Sequence, residues 1–255
     1  MTQLFKAVEI EINSNCNLLC PYCPNSLFKR DQHFEMNLDL FKKLMVQLQE
    51  IQFSGRISYD FYNEPMLAKN FFTFVELTKK ILPKCYIDLY TNGTNLDLKA
   101  FNRLIDIGVD HFYITKHFGI ADNYMFDLTY NSIPDNLKRQ VEYRHHTTIT
   151  KTNRGGTLKD KDSNTDLLPC FVTSSVVTVA VNGDVLPCFE DFHQKNIMGN
   201  ITNNKIQEIW NYDKYRQFRK NLRVGLRHKY SPCDNCNRKQ IQPIVEPFAQ
   251  NKGKP

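Results

Sequence analysis

The stretch VEIEINSNCNLLCPYC (8–23) decides how the rest of the chain is read. Its first five residues alternate apolar and acidic, the pattern of a strand with one buried face. That strand runs directly into three cysteines, Cys16, Cys20 and Cys23, separated by three and then two residues. A structural zinc site closes with four nitrogen or sulfur ligands. This loop supplies three, and no histidine lies near enough in sequence to complete a compact knuckle. A cubane 4Fe–4S cluster on three thiolates would leave one iron open to a small molecule carrying both an amine and a carboxylate. From the triplet alone, zinc completed by a distant fourth ligand stays open as the alternative.

Outward from this loop, strand and helix alternate. Asn37 is placed to cap a helix over 38–51, with Leu40, Leu44, Leu48 and Ile51 on one stripe. RISYDFY (56–62) reads as strand, 70–82 as a helix stopped by Pro83, and CYIDLYTNG (85–93) as strand and turn. A helix over 97–107 ends at Gly108, followed by strand 111–115 and a further strand within 142–150. Such alternation predicts parallel βαβ units, an α/β fold in the form of a partial (β/α) barrel. The rhythm breaks at KTNRGGTLKDKDSNTD (151–166), a polar stretch with paired glycines. Beyond it, strands at 174–181 and 184–188 flank Asn182-Gly183, a hairpin turn signal, and two helices follow near 205–211 and 213–222. The expected division is a main domain over 1–155 and a small metal-bearing domain over 156–255.

The 255 residues suffice for a real core, and 41% apolar with 24% charged is ordinary for a globular protein. Lys6, Glu9 and Glu11 break any signal-peptide core, and no run of 18 apolar residues suggests a membrane span. A cytoplasmic location follows as the expectation, and there cysteines serve as ligands more often than as disulfides. The net charge of +6 is spread out except in KYRQFRKNLRVGLRHK (214–229), one face of a helix. Outside the first triplet, Cys170 and Cys188 flank the expected hairpin, and Cys233 and Cys236 form CDNC. Four thiolates in a region poor in apolar residues predict metal ligation, with zinc and iron–sulfur equally compatible by spacing.

The triplet spacing, with Tyr22 before its third cysteine, resembles the radical S-adenosylmethionine superfamily. YNEP (62–65) stands where that family carries its strand-end motif GGEP, and YTNG (90–93) ends the next strand. The resemblance implies that Cys16, Cys20 and Cys23 hold a 4Fe–4S cluster whose open iron chelates the methionine end of S-adenosylmethionine. It places Tyr22 by the adenine and the backbone at Asn63 and Glu64 by the methionine amine. Asn92, Lys116 and His117 fall where the family binds ribose and carboxylate. LPCFEDF (186–192), MGNI (198–201) and CDNC (233–236) resemble the shortened auxiliary-cluster domain, called twitch or SPASM-type, of certain members. This implies a second 4Fe–4S cluster on Cys170, Cys188, Cys233 and Cys236.

TNRGG (152–156) and NGDVLPCFEDF (182–192) further resemble radical dehydrogenases of aminoglycoside biosynthesis, which oxidise one secondary alcohol of an aminocyclitol to a ketone. The expected chemistry is hydrogen abstraction by a 5′-deoxyadenosyl radical, with the surplus electron passing to the auxiliary cluster. Arg154 is placed beside the substrate hydroxyl, as relay or electrostatic stabiliser rather than simple base, since its pKa exceeds about 12. Glu190 is placed to bind a substrate ammonium or hydroxyl, while Phe189, Tyr62 and Tyr90 shape the pocket. The expected electron donor is a reduced flavodoxin or ferredoxin, acidic carriers that suit the basic 214–229 face.

Three rival readings stand beside this one. A radical epimerase needs a thiol hydrogen donor, and the remaining cysteine, Cys85, lies roughly 16 Å from the active face at about 3.3 Å per residue. A peptide-modifying enzyme of this type often carries a leader-binding domain ahead of the barrel, for which the sequence leaves no room. A zinc-stabilised nucleic-acid-binding module accounts for the positive charge and CDNC but not for an open three-thiolate loop.

Overall fold

In a computed structural model of the chain, residues 4–28, 34–119, 124–158 and 168–243 are described. Among them, one sheet holds β1 (Ala7–Ile10), β2 (Arg56–Ser58), β3 (Tyr86–Thr91), β4 (His111–Lys116), β5 (Val141–His145), β6 (Val176–Val179), β7 (Asp184–Leu186) and β8 (Gly199–Asn200). The strand order is β5-β4-β3-β2-β1-β6-β7-β8. Strands β1 to β6 run parallel, and β7 and β8 add antiparallel at the end of the row. This is the open α/β barrel that the alternation predicts. The helices are α1 (Leu38–Glu50), α2 (Phe71–Ile81), α3 (Leu98–Ile107), α4 (Met125–Ser132), α5 (Asp135–Lys138), α6 (Val172–Ser175), α7 (Ile206–Asn211) and α8 (Asp213–Arg223). None among the described residues is long and apolar enough to cross a membrane.

Local chemistry sets the helix ends. The Asn37 side chain accepts from Asp39 N and opens α1, Asp97 accepts from Ala100 N and opens α3, and Gly108 closes α3 with φ 106°. The buried face of α1 differs from the expected stripe: Phe41, Leu44, Met45 and Leu48 are buried, while Leu40 and Ile51 sit at its edges. A 3.6-residue period accounts for this, since the face turns away from a strict four-residue ladder. Each large apolar side chain so buried contributes about 1.5–3 kcal/mol. Buried Gln47 bridges α1 to α7, donating to Ile201 O at 3.2 Å and accepting from Ile206 N at 2.8 Å.

The hairpin expected around Asn182-Gly183 is β6–β7, with Gly183 at φ 88°. Its first strand also pairs in parallel with β1, Ala7 opposite Val176 and Ile10 opposite Val179. All four residues of β6 are buried, so the sheet continues past residue 155. Residues 159–166 of the polar connection lie outside the described residues. Helices α4 and α5 have no counterpart in the sequence reading. Both fall between β4 and β5.

The concave face of the sheet is polar. Arg56 of β2 reaches Glu9 Oε1 of β1 at 3.1 Å, Ser58 Oγ at 3.2 Å and Asp88 Oδ2 of β3 at 3.9 Å. Burial, with Asp60 adding, pushes the Glu9 carboxyl up to about 8 although Arg56 opposes the shift. The folded chain therefore keeps a proton on Glu9 that the unfolded chain releases above its ordinary 4.5. Stability from this group is full below that value and falls as pH rises towards 8, by at most about 1.4 kcal/mol per pH unit. Urea titrations at pH 5 to 8 are expected to give a flatter profile for Glu9→Gln than for the parent. Equal slopes would contradict the assignment.

Candidate active site

Three loops at the carboxyl ends of β1, β2 and β3 are tied together through Glu64, which is 2% exposed. Its carboxylate accepts from Thr91 Oγ1 at 2.6 Å, Asn92 N at 2.7 Å and Met66 N at 3.2 Å. Its backbone donates to Asn15 O at 2.7 Å and accepts from Asn13 Nδ2 at 3.0 Å. Burial pushes its carboxyl up to about 7 against these donors. Asn92 donates to Asn17 Oδ1 at 2.8 Å, and Asn17 donates to Thr94 Oγ1 at 2.9 Å. The cysteine loop, YNEP and YTNG thus form one hydrogen-bonded unit. Asn63 turns back within its own loop, accepting from Phe61 N at 2.8 Å and donating to Tyr59 O at 3.1 Å. An asparagine here holds the loop by side-chain bonds, which a glycine has no means to make.

The first three thiols share this corner. Burial pushes the Cys16 thiol up to about 12, and Glu64, Cys23 and Cys20 add to the shift. Thiols that disfavour one another's ionisation in this way suit a cationic centre, which alone makes their joint deprotonation favourable. Tyr22 turns over the corner with its hydroxyl 2.8 Å from His117 Nδ1 and accepting from Phe118 N at 3.3 Å. The Lys151 ammonium lies 4.6 Å from the Tyr22 ring centroid. Burial, with nearby His146, Arg144 and Arg154, holds His117 down at about 4, so its imidazole is neutral. Lys116 points away to α4, pairing with Asp127 at 3.0 Å.

The other four expected ligands also meet. Cys170, Cys188, Cys233 and Cys236 line one cavity, closed on one side by Phe218 and Leu222 of α8. Arg227, 2% exposed, holds the walls together by donating to Leu168 O at 2.8 Å, Pro169 O at 3.1 Å and Cys236 O at 3.4 Å. Burial raises the Cys188 thiol well above its ordinary value, with Cys170, Glu190 and Cys236 adding. A pocket walled by four soft donors fits an iron–sulfur cluster. Among the described residues, no three Cys, His, Asp or Glu side chains close around a single metal ion.

Between the two thiol sets stand Arg154 and Tyr62. Tyr62, 4% exposed, lies within electrostatic reach of Arg154, Glu190, Cys188 and Cys23. Arg154 sits 5.8 Å over the Tyr62 ring and 4.0 Å from Glu190 Oε2. Phe189 flanks the pocket under Arg238, whose guanidinium is 4.7 Å from its ring. Tyr90 stacks on Tyr113 at 4.5 Å on the concave face. The turn carrying Arg154 is built by three successive residues of positive φ, Arg154, Gly155 and Gly156. A Cβ on Gly156 would come within 2.6 Å of Asn235 Cβ, so the glycine permits contact with the CDNC loop. Asn153 completes that junction, donating to Asn237 Oδ1 at 2.8 Å and Asn235 O at 2.7 Å.

Sequence reasoning missed Arg238 and Thr152. Arg238 Nε donates to Glu190 Oε1 at 2.6 Å, and Thr152 Oγ1 lies 3.0 and 3.1 Å from the two Glu190 oxygens. Their signal was local: Arg238 follows the last cysteine by two residues, and Thr152 precedes Arg154 by two. Cys85 is buried in the core just ahead of β3, at the far end from Tyr90.

Comparison with known proteins agrees with this geometry. Residues 10–118 match the radical SAM superfamily, and residues 170–237 match SPASM, an iron–sulfur cluster-binding domain. The S-adenosyl-L-methionine-dependent 2-deoxy-scyllo-inosamine dehydrogenase of Niallia circulans is 42% identical over 243 residues, 95% of this chain and 96% of that protein. The crystal structure of BtrN in complex with AdoMet and 2-DOIA is similar with a TM-score of 0.87 at 40% identity, covering 96% of this chain and 100% of that one. BtrN in an open conformation gives 0.76 at 39% identity, covering 93% and 94%.

Proposed function

The chain belongs to the radical SAM superfamily, as an oxidoreductase with a SPASM iron–sulfur domain, and from this we propose that it oxidises a secondary alcohol of an aminocyclitol or amino sugar to a ketone. The reading assigns two 4Fe–4S clusters, one to Cys16, Cys20 and Cys23 and one to Cys170, Cys188, Cys233 and Cys236. When bound, the first with S-adenosylmethionine supplies a 5′-deoxyadenosyl radical, and the second accepts an electron. One observation carries the assignment: Arg154 and Tyr62 stand between the two thiol sets, each within electrostatic reach of Glu190.

The chain's own residues then have separable tasks. Tyr22 packs by the adenine, and Asn63, Glu64, Asn92 and His117 border the nucleotide. Lys116, held by Asp127, shapes that border through α4. Burial opposes the Arg154 charge, but Tyr62 and Glu190 favour it, so its pKa is raised and the guanidinium stays ionised. It donates hydrogen bonds to the hydroxyl oxygen and stabilises the alkoxide that forms when the hydroxyl proton leaves. Glu190 accepts from a substrate hydroxyl while fixing the guanidinium. Tyr62, Tyr90 and Phe189 wall the ring and exclude water.

The exposed basic face comprises Lys214, Arg216, Lys220 and Arg223, while Arg219 and Arg227 of the same stretch are buried. Because the inner face of α8 lines the four-cysteine cavity, an acidic flavodoxin or ferredoxin on its outer face would sit beside the second cluster. The reduced thiols suit a cytosolic setting.

The test is anaerobic turnover of the assembled protein with an aminocyclitol deuterated at the carbinol carbon. Deuterium is expected in 5′-deoxyadenosine, with ketone in equal amount. Inverted alcohol carrying solvent hydrogen would instead establish an epimerase. Neither product would reject both.

A further inference from the structure

An aminocyclitol carries a cation, and an ammonium buried in a pocket needs a carboxylate with uncommitted lone pairs. Glu190 does not serve: its charge is already matched by two guanidinium groups, Arg238 at 2.6 Å and Arg154 at 4.0 Å, so a further cation there is repelled although a hydroxyl is not. The concave face of the barrel does. Glu9, Asp60 and Asp88 gather there around Arg56. Glu9 is 6% exposed, and its Oε2 has no hydrogen-bond partner although its Oε1 meets Arg56. Asp60 Oδ1 is likewise buried without a partner, and so is the Tyr62 hydroxyl two residues on. Buried acceptors are ordinarily satisfied, and two orphaned carboxylate oxygens on one wall call for a donor.

Asp60 stands where such a donor would arrive. It lies two residues past the end of β2 and two before Tyr62, within electrostatic reach of Arg154 and Tyr90. Those are the residues that border the proposed substrate. Burial raises the carboxyls of both Asp60 and Glu9, so the wall keeps a proton that the arriving ammonium displaces. We propose that Asp60 Oδ1, backed by Glu9 Oε2, is the subsite that receives the ammonium group of the substrate, leaving Arg154 and Glu190 to the hydroxyls. The inference rests on the function proposed above. Polarity is divided across the pocket: cationic beside the auxiliary cysteines, anionic against the sheet. A ring bearing an amine on one side and the reacting alcohol on the other is thereby oriented.

The experiment compares an aminocyclitol with the matching cyclitol that carries a hydroxyl in place of the amine, using the assembled enzyme. Asp60→Asn is expected to raise KM for the aminocyclitol roughly 30-fold, while KM for the cyclitol changes less than about threefold. Glu9→Gln is expected to move the same ratio several-fold in the same direction, and it decides the matter if Asp60→Asn does not fold. Equal changes for both compounds, or no change for either, would overturn the subsite alone. A parent enzyme that leaves the labelled aminocyclitol untouched would overturn the subsite together with the function it rests on.

Discussion

Replacement of Cys16, Cys20 and Cys23 together by alanine is expected to halve the iron of the anaerobically assembled protein, from about eight to about four atoms per chain. Release of 5′-deoxyadenosine should fall below detection in the same sample. The four-cysteine cavity is walled by separate elements and stapled by Arg227, so its iron should stay. Glu64 ties the first loop to β3 by bonds that do not use the thiols, so the fold should survive. Zinc near two atoms per chain in the parent protein, with iron absent, would instead support a zinc module. Unchanged iron in the triple variant would show that this loop is not a cluster site.

Arg154→Ala is expected to lower kcat for ketone formation by about 100-fold to 1,000-fold, the usual loss on removing a donor aimed at developing negative charge. Iron content should not change, because the Arg154 side chain touches Tyr62 and Glu190 rather than any packed core. Release of 5′-deoxyadenosine without matching ketone should persist, as the proposed nucleotide site lies on the Glu64 side. Arg154→Lys should recover little, since a point charge does not reproduce the planar fork. Full coupling in Arg154→Ala would remove this residue from the chemistry.

Much of the fold was legible because its signals are local. The alternation of 8–12, the Asn37 and Asp97 caps, Gly108 and the Asn182-Gly183 turn each act over a few residues, and each element appears where its signal lies. What failed was longer in range. The pairing of β6 with β1 joins residues about 170 apart, and no composition pattern encodes a partner at that distance. The buried face of α1 depended on where α2 and α7 pack, which turned it towards Phe41 and Met45. Lys116 could be placed at a strand end from sequence, but its capture by Asp127 required α4, an element that the sequence reading lacked.

The sequence by itself determined which residues are candidates for chemistry: three thiols at the end of the first strand, four more between 170 and 236, and an arginine in a glycine turn. Residue type and spacing single out the thiols, while the family resemblance singled out the arginine. Only the tertiary structure decided which charges are already spent. Arg238 and Thr152 occupy Glu190, while Asp60 and Glu9 each keep an oxygen without a donor. Those facts depend on side chains remote in sequence meeting in the folded pocket, where burial removes the water that would otherwise satisfy them.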